Sequence, residues 1–100
     1  MDFTHKKNTT FNQRNFTIDL NGDPLIIESV KMHLRRDFGA PVIYEMSMAV
    51  TGVGEFIINE QIIDLPPLTY VYDIRIAYDG GTVKNWISGN FIIESNVTND

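Results

Sequence analysis

The sequence predicts an all-β chain folded as an antiparallel β-sandwich of about seven strands. Three observations carry that expectation. From Tyr70 to Tyr78, Tyr70, Tyr72, Ile74, Ile76 and Tyr78 alternate with Val71, Asp73, Arg75, Ala77 and Asp79. That period of two sets an apolar face against a mostly polar one. The remaining apolar runs are short and are rich in β-branched and aromatic residues, which fit a pleated, half-buried surface. Gly, Pro, Asn and Asp punctuate them at regular intervals. A small barrel is the alternative architecture, because it too buries alternate residues.

Composition narrows the class. The 100 residues make one domain, and 43% hydrophobic content is enough for a small core. A net charge of -5 argues against a nucleic-acid binder that works by neutralising phosphates. Without cysteine there is no disulfide and no thiolate metal site, which fits a reducing compartment. The opening MDFTHKKNTT lacks the apolar core of a signal peptide. No apolar run reaches the roughly 20 residues of a membrane helix, so the expectation is cytoplasmic synthesis and no membrane insertion.

Taken in order, residues 1–8 read as a flexible arm carrying His5, Lys6 and Lys7, and residues 9–100 as the sandwich domain. The sequons at Asn8, Asn15 and Asn96 carry no meaning without a secretory signal. Phe11 to Leu20 is the first strand, in which Phe16, Ile18 and Leu20 share a face. Asn21-Gly22-Asp23-Pro24 is a turn. Leu25 to Arg36 is the second strand, with Val30, Met32 and Leu34 opposite Lys31, His33 and Arg35. A loop over Arg36 to Pro41 leads to a third strand over Val42 to Val50. The turn at Thr51 to Gly54 leads to a short fourth strand, Glu55 to Asn59. Asn59 to Leu65 fits either a short strand or one helical turn. Pro66-Pro67 makes a corner, since neither residue donates a backbone hydrogen bond. Asp79-Gly80-Gly81 is the hairpin turn after the Tyr70 strand. A further strand follows, then a break at Ser88-Gly89 and a last strand through Phe91-Ile92-Ile93.

No catalytic or metal-binding set is expected, and no cofactor. His5 and His33 are the two histidines, and Lys31 and Arg35 beside His33 would not help it act as a base. The carboxylates are scattered, with no calcium-loop spacing. No serine lies in a nucleophile-elbow pattern, and the glycines lie in turns outside any phosphate-binding signature.

The corner Leu65-Pro66-Pro67-Leu68-Thr69-Tyr70-Val71-Tyr72 resembles the one before a late strand of immunoglobulin-like sandwiches. By that resemblance Tyr70 is the corner tyrosine, its hydroxyl bonded back to the upstream backbone, and Tyr72 takes the inward place two residues on. The likeness extends further. Tyr70-Val71-Tyr72-Asp73-Ile74, Ile87-Ser88-Gly89-Asn90-Phe91-Ile92-Ile93 and Asn96-Val97-Thr98 resemble a group of small bacteriophage and prophage proteins. So do Leu20 to Leu25 and Met32-His33-Leu34-Arg35-Arg36. These proteins are similar to the immunoglobulin-like N-terminal domain of phage baseplate upper proteins. Those proteins continue into a long C-terminal region, whereas this sequence stops at Asp100.

The resemblance implies a non-enzymatic structural or adaptor protein of the virion, associated with tail or baseplate and made in the bacterial cytoplasm. Its partners would be other phage structural proteins or further copies of itself. Phe56-Ile57-Ile58 and Phe91-Ile92-Ile93 are apolar on both faces, so Ile57 and Ile92 need cover from this chain or another. Trp86, on a strand with neither face cleanly apolar, is the aromatic chosen for a partner contact, against the plainer reading of a Trp covering the core edge. A carbohydrate- or receptor-binding module is the second reading, with Tyr44, Tyr70, Tyr72, Tyr78 and Trp86 as stacking residues if exposed.

Overall fold

The computed structural model describes residues 1–18 and 26–95, with Trp86 described for its backbone alone. The turn read at Asn21 to Pro24 and the closing Asn96-Val97-Thr98 lie outside the described residues. The described chain holds β1 (Phe3–Lys6), β2 (Thr9–Phe11), β3 (Arg14–Thr17), β4 (Ile27–Arg35), β5 (Val42–Met46), β6 (Met48–Gly52), β7 (Glu55–Ile58), β8 (Gln61–Ile63), β9 (Thr69–Tyr78) and β10 (Val83–Glu94). A five-stranded sheet runs β1-β10-β9-β4-β5, a three-stranded sheet runs β3-β7-β6, and β2 pairs with β8 as a ribbon. The fold is an all-β sandwich. Among the described residues the strands fall into separate sheets and do not close into the barrel held as the alternative.

The core lies between the sheets, and the period of two supplies it. Along β9, Tyr70, Tyr72, Ile74, Ile76 and Tyr78 are all buried, and along β4 so are Met32 and Leu34. Phe56 and Ile58 face them from β7. The ribbon covers one end, where Phe11 packs on Phe3 at 6.0 Å and Phe91 at 5.8 Å between ring centroids. The β9–β10 hairpin turns through Gly80 and Gly81 at φ of 95° and 92°, which residues with a Cβ rarely adopt.

Four expectations are corrected. Residues 1–8 are no loose arm: Phe3–Lys6 is an edge strand paired parallel to β10, so the large sheet is mixed and not purely antiparallel. Phe3 drives this, since it is 2% exposed among Phe11, Tyr72 and Phe91. Second, the run read as one strand from Phe11 breaks at Asn12-Gln13, and β2 and β3 serve different sheets.

Third, Val42 to Val50 is two strands, because the chain leaves one sheet for the other at Ser47. The Gln61 side chain makes that step tolerable. Its Oε1 accepts from the Ser47 N–H at 3.0 Å and its Nε2 donates to the Ser47 carbonyl at 3.3 Å. The Asn59 N–H also donates to that carbonyl at 2.9 Å. The backbone groups lost from the ladder are thus repaid by a side chain. The undecided Asn59 to Leu65 stretch contains β8.

Fourth, Ser88-Gly89 does not break the chain, and β10 runs unbroken from Val83 to Glu94. These changes raise the count to ten strands among the described residues. The register shifts instead at Trp86, the extra residue between the pairs Asn85↔Arg75 and Ile87↔Ile74. A bulge moves every later side chain to the other face. That shift explains why neither face of the segment is cleanly apolar.

Candidate docking surface

The outer face of the five-stranded sheet is built from the residues that alternate with the core. Cross-strand rows place His33 opposite Asp73 and Asp73 opposite Ser88; the next row is Lys31, Arg75 and Asn85. A charged cluster results. Asp73, with its side chain 14% exposed, lies between two guanidinium groups. Arg35 Nη1 donates to Oδ1 at 3.3 Å and Arg75 Nε donates to Oδ2 at 3.2 Å. His33 Nε2 lies 3.7 Å from Glu45 of β5. Alternation in β4 and β9 dictates this arrangement, since polar residues at every second position must share the solvent face.

Two shallow hollows lie on this face. One, of about 370 Å³, is lined by Arg35, Phe38, Val71, Asp73, Arg75 and Ser88 among others. The other, of about 320 Å³, is lined by Ser29, Lys31, His33, Arg75, Ala77 and Val83. Arg75 belongs to both.

Phe38 stands at one end of the first hollow and is 74% exposed. The turn holds it there. The Phe38 N–H donates to Asp37 Oδ1 at 2.8 Å, and the Ala40 N–H donates to the Asp37 carbonyl at 3.1 Å. Gly39 takes the positive φ, 81°, that closes the turn. Beyond the turn, β5 is an outer strand of its sheet, and its Val42 and Ile43 are both exposed. Among the described residues β5 pairs only with β4.

Ile57 and Ile92 fall elsewhere. Ile57 sits on the central strand β7, between Asn15 and Ala49. Ile92 sits on β10, between Thr4 and Thr69. Each is half-buried by its cross-strand neighbours, on the outer face of a different sheet. The structure therefore does not bring them into one surface. The Trp86 side chain lies outside the described residues.

Tyr70 and Tyr72 are buried, at 1% and 2% exposure. The Tyr70 hydroxyl donates to the Pro66 carbonyl at 2.6 Å, four residues upstream. The Tyr72 hydroxyl donates to the Met1 carbonyl. Burial pushes both phenols up, Tyr72 to about 12 with the Asp2 carboxylate adding to the effect, while the Arg36 charge partly offsets the rise at Tyr70. Tyr78 is buried as well, and Tyr44 is half-buried with its hydroxyl donated to Gln61 at 3.1 Å. These tyrosines furnish core and not a sugar-stacking platform.

Sequence reasoning missed Phe38 and the β5 edge. The signal for Phe38 was one apolar residue between Asp37 and Gly39 in a polar turn. Nothing local marked Val42 to Met46 as an edge. Among the described residues no group of three or more His, Asp or Glu side chains is placed to hold a metal ion. No helix among them is long and apolar enough to cross a membrane. Neither the protein-family models nor the curated proteins compared with this chain give a match.

Proposed function

We propose that this chain is a non-enzymatic docking module of a phage or prophage virion, associated with tail or baseplate. It binds another protein through the β5 edge and the adjoining outer face of the five-stranded sheet. One observation carries the docking reading: Phe38, Val42 and Ile43 are exposed together at an outer strand. An unpaired strand edge offers a ladder of N–H and C=O groups, and apolar side chains along it add area to bury. The virion assignment rests on the motifs around Tyr70 to Ile74 and Ile87 to Ile93.

The test is a photo-crosslinking residue placed at Ile43 or, as the control, at the exposed turn residue Val53. Particles are then purified and probed. A crosslink to a second protein chain from position 43 and none from position 53 is the expected result. Absence of the chain from purified particles overturns the virion assignment. Equal crosslinking from both positions overturns the docking surface.

A further inference from the structure

Resting on that docking reading, we infer that the groove on the outer sheet face receives an extended acidic segment of the partner protein. The first support is charge. The chain carries -5 overall, yet Lys31, Arg35 and Arg75 gather here around Asp73, while the other carboxylate of the face, Glu45, stands beside His33 on β5. Lys31 lies directly beside Arg75 in the register, and like charges placed side by side destabilise a sheet. An anionic ligand would relieve that repulsion. Each guanidinium gives one N–H to Asp73; among the described residues its remaining donors have no other partner. Those donors suit a second carboxylate.

The second support is spacing. Arg35 lies in the row of Val71, and Lys31 in the row of Arg75, four residues apart along the sheet. At about 3.3 Å per residue this separation is about 13 Å. Side chains i and i+4 on one face of an extended peptide span the same length. Exposed Phe38 and Val83 stand at the two ends of the track. The fit is therefore to two acidic residues four apart, flanked by apolar ones. A uniformly sulfated sugar would leave the apolar ends without contacts.

The test titrates the full chain, isotope-labelled for NMR, with the capped peptide Leu-Thr-Glu-Thr-Val-Thr-Glu-Thr-Leu, whose Leu and Glu side chains share one face when extended. A counterpart with both Glu residues replaced by Lys, and a sulfated oligosaccharide, are the comparisons. Saturable amide shifts confined to the groove strands, with none from the Lys peptide, are expected. Arg75→Gln should weaken binding about tenfold or more, while Lys84→Gln leaves it unchanged and both variants keep the dispersed spectrum of the fold. No saturable shift, an unaltered response in Arg75→Gln, or equal binding of the sulfated sugar at the same amides each overturns the proposal. If peptides fail while position 43 still crosslinks to a protein, the groove assignment falls and docking at the edge stands. If both fail, the docking reading falls too.

Discussion

The carbonyl oxygen of Met1 lies in the space that a side chain on Gly89 would fill. The Tyr72 hydroxyl donates to that same carbonyl, and the Asn90 N–H donates to Asp2 Oδ1 at 3.0 Å. Tyr72 is also the register partner of Gly89 on β9. Residues 1–2 are thus seated in a notch that only glycine leaves open, and they continue into β1. The glycine serves close backbone approach here.

Gly89→Ala should displace residues 1–2 and cost the fold about 1–3 kcal/mol, from two lost hydrogen bonds and local strain. Urea unfolding should show a lower midpoint at unchanged slope. Combined with Tyr72→Phe the loss should be smaller than the sum, since both changes act on one contact. A Gly89→Ala midpoint equal to wild type would remove the notch from the account.

Tyr70→Phe removes the donor to the Pro66 carbonyl and leaves the ring in place. The expected loss is about 1–2 kcal/mol, the cost of one buried hydrogen bond. Tyr44→Phe should cost less, because Gln61 Oε1 keeps the Ser47 N–H as a donor. Equal losses in the two variants would show that the corner bond has no special weight.

Neighbouring isoleucines on β7 should behave oppositely. Ile58 is fully buried while Ile57 is half-buried on the outer face. Ile58→Ala should cost about 2–5 kcal/mol, and Ile57→Ala under about 1 kcal/mol. Thermal and urea unfolding of the pair measure the difference. Similar losses would mean that the register of β7 is wrong.

What the sequence disclosed follows from how far apart the decisive residues lie. The β9 alternation and the Asp79-Gly80-Gly81 turn were legible because a period of two and positive-φ residues are local signals. The sheet change at Ser47 was not, because Met46 and Met48 continue the alternation straight through it. It depends on Gln61, which bonds to Ser47 from fourteen residues away. β1 was hidden for the same reason: Thr4, His5 and Lys6 read as a polar terminus, and the burial of Phe3 depends on Phe11, Tyr72 and Phe91. At the candidate site the strand faces of Lys31, His33, Arg35, Asp73 and Arg75 were readable. The joining of Arg35 to Asp73 across thirty-eight residues was not. Trp86 misled because a bulge at that residue switches the faces.

Alkaline titration should follow Tyr72. Its folded value is pushed up from 10.0 to about 12, so folding favours the neutral phenol. A raised folded value means that this stabilisation is complete below the unfolded value and is lost as pH rises from 10 to about 12. Stability should therefore decline across that window, and Tyr72→Phe should reduce the slope. Tyr44 and Tyr70, also raised by burial, keep it from vanishing. Urea midpoints through the window, beside the ultraviolet phenolate signal, supply the measurement. A Tyr72→Phe protein with the wild-type slope would contradict the assignment.

Asp73 is the carboxylate shared by Arg35 and Arg75 on the outer face. In Asp73→Asn, Arg35 and Arg75 lose their shared counter-charge while Lys31 remains beside Arg75. Hydrogen bonds to charged groups exceed neutral ones, so the expected cost at low salt is about 1–2 kcal/mol, discounted for the exposure of Arg75. The sign of the salt response is the sharper check. In wild type, added salt screens an attraction and should lower this local contribution. In Asp73→Asn it screens a repulsion and should restore stability, since the screening length falls to about 3 Å near 1 M. Unfolding midpoints of the two proteins, each referred to its own low-salt value, should therefore diverge as salt rises. Parallel salt responses would mean that Asp73 does not offset the two arginines, and the case for an acidic segment bound beside it would weaken with it.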